Sequence, residues 1–280
     1  MYEIVLSIIL IIAIIYGKKY YDRWDYINAF KNESVNIEDH FFKSIDRLHY
    51  SSKRKMWIHM PTQANGYLLL CLKSIIDHCG QYYNIILFND ADLGTLLSSE
   101  DSTDNLTSHQ RSILLLALMH EYGGVIMPRH IFLKSTFKQI DNDKFFVSKI
   151  YNQGKSVTMS DYVYSTELMG SNKNNPILLE YINKIRKEPH LTFSDDVLKD
   201  MDIPYIDPKL IGNQDVYGNK ITLEDLMLDK QIEFVSNSIG IMIPHDELLR
   251  RPKYNWYCEL EPSDVLTAHI FLSKYMMANK

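Results

Sequence analysis

Two short runs hold the residues best suited to chemistry. Asn89-Asp90 closes an expected strand, and Arg129-His130 follows another, with Lys134 four positions further on. A guanidinium and a protonated imidazole can stabilise phosphate charge directly, which makes Arg129 and His130 the candidate catalytic pair. The competing reading is that both are solvated residues at a strand end. Asn89 and Asp90 sit where α/β sheets receive ligands, so they can touch a nucleoside, or they can simply form a turn. Trp57 and His59 point to the face opposite Ile58 on the first strand, and Trp57 also reads as core. Ser171 to Asn175 either lines an acceptor site or turns the chain, and Asp161 and Asp195-Asp196 are spare carboxylates.

Much familiar chemistry is excluded. The chain has no Walker loop, GxGxxG fingerprint, GxSxG elbow or HExxH pair. Its ten histidines, among them His59, His109, His120 and His130, are scattered, and a metal site needs several convergent ligands, so no metal site is expected. A net charge of −5 over 280 residues supplies no basic field, and no Lys/Arg stripe overrides it, which excludes nucleic acid as a partner. Cys71 and Cys79 fall on one expected helix, eight positions and about 12 Å apart, too far for a disulfide. An odd count of three cysteines suits a reducing compartment.

The elements that must position these residues alternate. Met56–Met60 reads as a strand, 66–78 as a helix, 84–88 as a strand, 109–122 as a helix ending at Gly123-Gly124 in a left-handed cap, and 125–127 as a strand. That order implies a parallel sheet covered by helices, an α/β fold. The segment Ile113 to Met119 is apolar on every side and predicts a helix buried all round. Beyond it, 145–149 and 161–169 read as strands and 176–187 as a helix. Residues 212–219 read as a turn-rich loop, and one amphipathic helix runs from Ser263 towards Met277.

The N-terminus differs in kind. From Ile4 to Tyr16 only Ser7 is polar, and a helix over 1–17 would span about 25 Å against a hydrocarbon core of roughly 30 Å. Lys18 and Lys19 can snorkel, and Tyr20, Tyr21 and Trp24 suit the interface. Residues 1–17 therefore predict an uncleaved single-pass transmembrane anchor, with the membrane as a partner. Tyr20, Trp24, Ile27 and Phe30 recur at helical spacing, giving a juxtamembrane connector over 18–54. Lys18, Lys19 and Arg23 follow the span while only Glu3 precedes it, which places the remaining domain, 55–280, on the cytosolic side. Two glycosylation triplets, at Asn32 and Asn105, point the other way, but such triplets arise by chance.

Taken together, KMWIHMP at the first strand, CLKSIIDHC on the next helix, IILFND at the second strand and HQRSILLLALMHEYGGVIMPRHIFLK after it resemble the capsular-polysaccharide-synthesis type of glycosyltransferase, including members encoded by large DNA viruses. Fainter likeness continues through MGSNKNNPILLEYI, DPKLIG and LEDLM, so it covers most of 55–275. The resemblance implies a GT-A-like mixed sheet flanked by helices that binds a nucleotide sugar, with a carboxylate after the third strand holding a divalent cation against the diphosphate. That carboxylate falls at Pro128, a second expected Asp at Ser112 and an expected Arg at Leu115. The substrate-side candidates are then Trp57, His59, Asn89, Asp90, Ser112 and Lys134. Two functions follow from the resemblance. One is a degenerate, membrane-anchored domain with no cofactor, used as a structural, assembly or interaction module in a virion setting with protein partners. The other is an active, metal-independent transferase acting on a nucleotide sugar.

Overall fold

The computed structural model describes residues 7, 9–18, 21, 53–60, 66–97, 106–137, 144–152, 161–187 and 195–279. Its main feature is a six-stranded mixed sheet. After helix α1, described over residues 9–18, β1 (Arg54–His59) leads through α2 (Gly66–Cys79) to β2 (Tyr83–Phe88), which pairs parallel with β1. The chain then passes α3 (Asp90–Leu96) and α4 (Ser108–Tyr122) and enters β3 (Gly124–Ile126), parallel to β1 on its other side. After the short β4 (Ile131–Leu133) come β5 (Phe146–Tyr151) and β6 (Tyr162–Ser171), with β6 antiparallel to both β3 and β5. Beyond α5 (Pro176–Lys187) and α6 (Asp195–Lys199), β7 (Tyr205–Ile206) closes the edge parallel to β5. Past α7 (Leu223–Met227), β8 (Gly240–Met242) pairs antiparallel with β4 in a separate ribbon, and α8 (His245–Arg250), α9 (Pro262–Thr267) and α10 (Phe271–Ala278) finish the chain.

Side chains alternate across the strands, so the sheet separates two cores. Met56, Ile58, Ile85 and Val125 pack with Leu70, Cys71 and Ile75 of α2 and with Leu272 and Met276 of α10. Trp57, Ile86, Phe88 and Ile126 face the other way, onto Leu116 and Met119 of α4 and Leu178 and Tyr181 of α5. Helices on both faces and strands buried on both sides explain why β1 and β2 read as continuous apolar runs. All three cysteines are free thiols.

The junction between α4 and β3 depends on two glycines. Gly123 has φ +66° and its N–H donates to the Met119 carbonyl. Its ψ of −173° is extended, so the cap departs from the left-handed helical form that the sequence predicts. Gly124 has φ +113°, and a Cβ there would lie 2.5 Å from the Lys55 carbonyl oxygen. The close approach lets Trp57 Nε1 donate to the Gly123 carbonyl at 2.9 Å.

Two further expectations are corrected. α4 is not buried all round: Leu116, Leu118 and Met119 are, while Ile113, Leu114 and Leu115 are half-exposed. The single C-terminal helix is two, because Ala268 and Ile270 adopt extended angles and the Phe271 N–H is drawn to the Leu228 carbonyl at 2.8 Å. Residues 1–6 and 8 of the expected N-terminal anchor and most of the connector fall outside the described residues. Residues 9–18 are helical, and Ile9, Leu10, Ile11, Ile14 and Ile15 each expose more than half their surface. Among the described residues no helix is long and apolar enough to cross a membrane.

Candidate functional site

The chain steps from β1 outward to β2 and then back past β1 to β3. Such a reversal opens a crevice at the carboxyl ends of the strands. His59 ends β1 opposite Phe88, Asn89-Asp90 follows β2, and the N–H of Met127, just after β3, donates to the Trp57 carbonyl at 2.9 Å. Pro128 comes next, and its carbonyl accepts from the Ile131 N–H at 3.3 Å, turning the chain through Arg129 and His130 into β4.

Asp90 is the hub of the first cluster. His59 Nε2 lies 2.7 Å from Oδ1. Arg111, on the first turn of α4, donates from Nε to Oδ1 at 2.8 Å and from a terminal nitrogen to Oδ2 at 2.6 Å. These Arg111 bonds, with those of His59, hold the Asp90 carboxyl below the usual carboxylate range. Burial lowers the His59 pKa against the opposing pull of Asp90, and the charges of Arg111 and Arg129 lower it further. Because an ionised carboxylate only accepts, His59 carries a proton on Nε2.

A second cluster surrounds Arg129. Its guanidinium donates to His245 Nε2 at 3.2 Å, and His245 Nδ1 meets the Tyr67 hydroxyl. Arg has no acceptor, so Nε2 of His245 bears the lone pair and Nδ1 the proton, which it donates to Tyr67. Burial, with the neighbouring His130 and Arg129, pushes the His245 pKa down to about 4. The His130 ring stacks on that of His245, 5.9 Å away and inclined by 15°, and its Nε2 is 3.5 Å from Glu167 Oε2. Tyr67 comes from α2, Glu167 from β6 and His245 from α8, so the turn after β3 is held by three distant segments.

The structure thus brings His59, Asp90, Arg129 and His130 to one end of the sheet. The remaining candidates lie differently. Trp57 has no exposed surface and packs edge-on against Phe88. Asn89 caps α3, its Oδ1 accepting from the Asp92 N–H while the Asp92 carboxylate accepts from the Asn89 N–H. Ser112 donates to the Ser108 carbonyl one turn earlier in its own helix. Lys134 follows the far end of β4, about 10 Å of strand beyond Arg129 and His130, with its N–H on the Ile239 carbonyl. Ser171 to Asn175 is a turn: Asn174 has φ +58°, and Asn175 Oδ1 accepts from the N–H groups of Ile177 and Leu178 at the start of α5. Asp161 pairs with Lys220 at the surface. Arg111, Tyr67, Glu167 and His245 were not among the residues singled out in the sequence; Arg111 lies within the quoted HQRS run, while nothing in the local pattern of the other three marks them.

At this edge cations and imidazoles outnumber carboxylates, and each carboxylate already faces a positive or imidazole partner. The arrangement can neutralise an anionic ligand through Arg129. It has no side-chain oxygen at position 128 with which to hold a cation. Among the described residues, no group of three or more His, Cys, Asp or Glu side chains is placed to bind a metal ion.

The fold and site therefore define an α/β protein with a mixed six-stranded sheet and a polar cluster at its topological switch point. No protein-family model matches the chain, and no curated protein matches it. Among solved structures it is similar to the glycosyltransferase PaToxG, at 14% identity and a TM-score of 0.36, over 66% of this chain and 78% of that one. A likeness of that size carries no argument about chemistry.

Proposed function

We propose that this chain is a GT-A-like domain related to the capsular-type glycosyltransferases, that it has lost metal-dependent transferase chemistry, and that it serves as a membrane-tethered structural or interaction module. The carrying observation is the state of the carboxylates at the strand ends. Position 128, where the resemblance expects a metal-binding Asp, is proline, and nearby Asp90 is closed by two bonds from Arg111 and one contact from His59. A carboxylate saturated in this way would have to give up a bidentate guanidinium to ligate a cation. Tethering rests on the apolar run from Ile4 to Tyr16 and the cations after it, and it leaves the domain facing the cytosol.

One observation favours a second reading. Arg129 and Arg111 both act on His59, so positive charge gathers where a leaving diphosphate would sit, and metal-free transfer is the function that would use it. Calorimetric titration of the full chain with a panel of nucleotide sugars, with and without manganese, separates the two. Heat-silent titrations and no release of nucleotide are expected. Saturable binding accompanied by sugar release would replace the module with an enzyme.

A further inference from the structure

The six-stranded sheet has two edges, and in this chain they differ. β7 ends one side. It is two residues long, Tyr205–Ile206, with Pro204 before it and Asp207-Pro208 after it, and shortness, proline and charge all keep another strand from adding. β2 ends the other side and has none of these devices. Its six residues, Tyr83–Phe88, carry no charge and no proline. They hold an unbroken register against β1, from Arg54 opposite Tyr83 to His59 opposite Phe88.

The backbone of β2 leaves a row of groups pointing away from the sheet. The Met60 N–H donates to the Phe88 carbonyl at 2.8 Å, which fixes the direction of every other residue in the strand. Asn84, Ile86 and Phe88 turn both backbone groups to β1, while Tyr83, Ile85 and Leu87 turn theirs outward. Among the described residues no hydrogen bond reaches the outward N–H and C=O groups of those three. Such a row at a sheet edge is a template for another strand.

A second copy of β2 fits that template. The outward set is centred on Ile85, so an antiparallel copy related by a two-fold axis through Ile85 pairs all three residues at once, with Cα atoms about 5.5 Å apart. Ile85 meets its own equivalent, and Tyr83 meets Leu87 in both directions. A shift by two residues leaves one of the three opposite a residue outside the strand. In the centred register the Tyr83 ring lies beside the Leu87 side chain, an aromatic–aliphatic cross-strand pair. Tyr82, 58% exposed just before the strand, falls opposite Phe88 of the second copy. No like charges meet, because Asp90 falls opposite Gly80. An edge without charge also has nothing with which to select a charged partner.

We propose that two copies of this chain associate through β2, joining their sheets edge to edge across a two-fold axis. Because β7 is blunted, the pairing closes at two and does not propagate into a fibre. The proposal needs neither membrane nor ligand, so it stands or falls separately from the readings above.

The test is sedimentation equilibrium of the full chain in density-matched detergent over a series of protein concentrations, with hydrogen exchange followed on the same samples. A monomer–dimer equilibrium is expected, and the Ile85 and Leu87 amides should gain protection as the dimer forms. Leu87→Pro removes an N–H that bonds no described residue, so it should weaken the dimer roughly tenfold or more while the pairing of β1 with β2 persists. Leu87→Lys puts a charge at the same half-buried edge position, should act likewise, and decides the matter should the proline variant fail to fold. The exchange measurement needs no variant. A monomer at every concentration, exchange at residues 85 and 87 that ignores concentration, or a dimer unchanged in the folded variants overturns the proposal.

Discussion

Arg111 grips both oxygens of Asp90 in a fork, at 2.8 and 2.6 Å, while His59 approaches Oδ1 from β1 at 2.7 Å. The pair is three-quarters buried on each side, and it ties the start of α4 to the end of β2. An isolated exposed ion pair contributes little, but this one is forked and shielded.

Asp90→Asn should therefore cost about 1–3 kcal/mol, measured by urea denaturation at neutral pH. The sign with acid follows from linkage. Asp90 is held below its unfolded pKa, so its contribution is present above the unfolded value of about 3.9 and disappears as the pH falls through the lower folded value. The difference between wild type and variant should shrink as the pH drops through that window.

His245 acts over a higher window. Its folded pKa of about 4 lies below the unfolded value of about 6.5, so between those limits the unfolded chain binds the extra proton. Stability should decline as the pH falls from about 6.5 to about 4, by up to about 3 kcal/mol from this group, and level off below. His245→Gln should flatten that part of the profile in denaturation curves taken at successive pH values.

Gly124→Ala should lower the melting temperature sharply. At φ +113° a side chain is strained, and its Cβ would press on the Lys55 carbonyl, which belongs to a buried strand and cannot retreat. A loss of at least about 2 kcal/mol is expected in thermal unfolding.

Trp57→Phe should cost about 2–4 kcal/mol by the same assay. It leaves the Gly123 carbonyl without its indole donor and a cavity in the core beside Phe88 and Tyr122. The effect should fall on stability alone, because the side chain reaches no solvent.

Pro128→Asp alone should not create a metal site. The resemblance also expects an Asp at 112 and an Arg at 115, where this chain has Ser112, bonded to its own helix, and Leu115. Micromolar manganese affinity in that variant would contradict this.

Where local chemistry decides structure, the sequence was readable. Tyr122-Gly123-Gly124 announced a helix end running straight into a strand because only glycine tolerates the angles found there. Of the two readings of Asn89-Asp90 the turn is the one the fold displays, with Asn89 capping α3, while the Asp90 carboxylate pairs with Arg111. The break between α9 and α10 was invisible, since no Gly or Pro marks it and the cause is a bond to Leu228, over 40 residues away. Arg111 meets Asp90 across 21 positions, and His245 lies more than a hundred positions from the Arg129 it receives. Such pairings are made by the folded sheet and leave no trace in spacing.

The central claim, that the strand ends no longer grip a diphosphate through a metal, is tested most directly by electron paramagnetic resonance of Mn²⁺ mixed with the full chain and a nucleoside diphosphate. The expected spectrum equals that of Mn²⁺ and the nucleotide alone at every protein concentration. A free-ion signal that falls in proportion to added protein, and returns in Asp90→Asn, would mean that Asp90 leaves Arg111 to hold the cation and that the non-catalytic account is wrong.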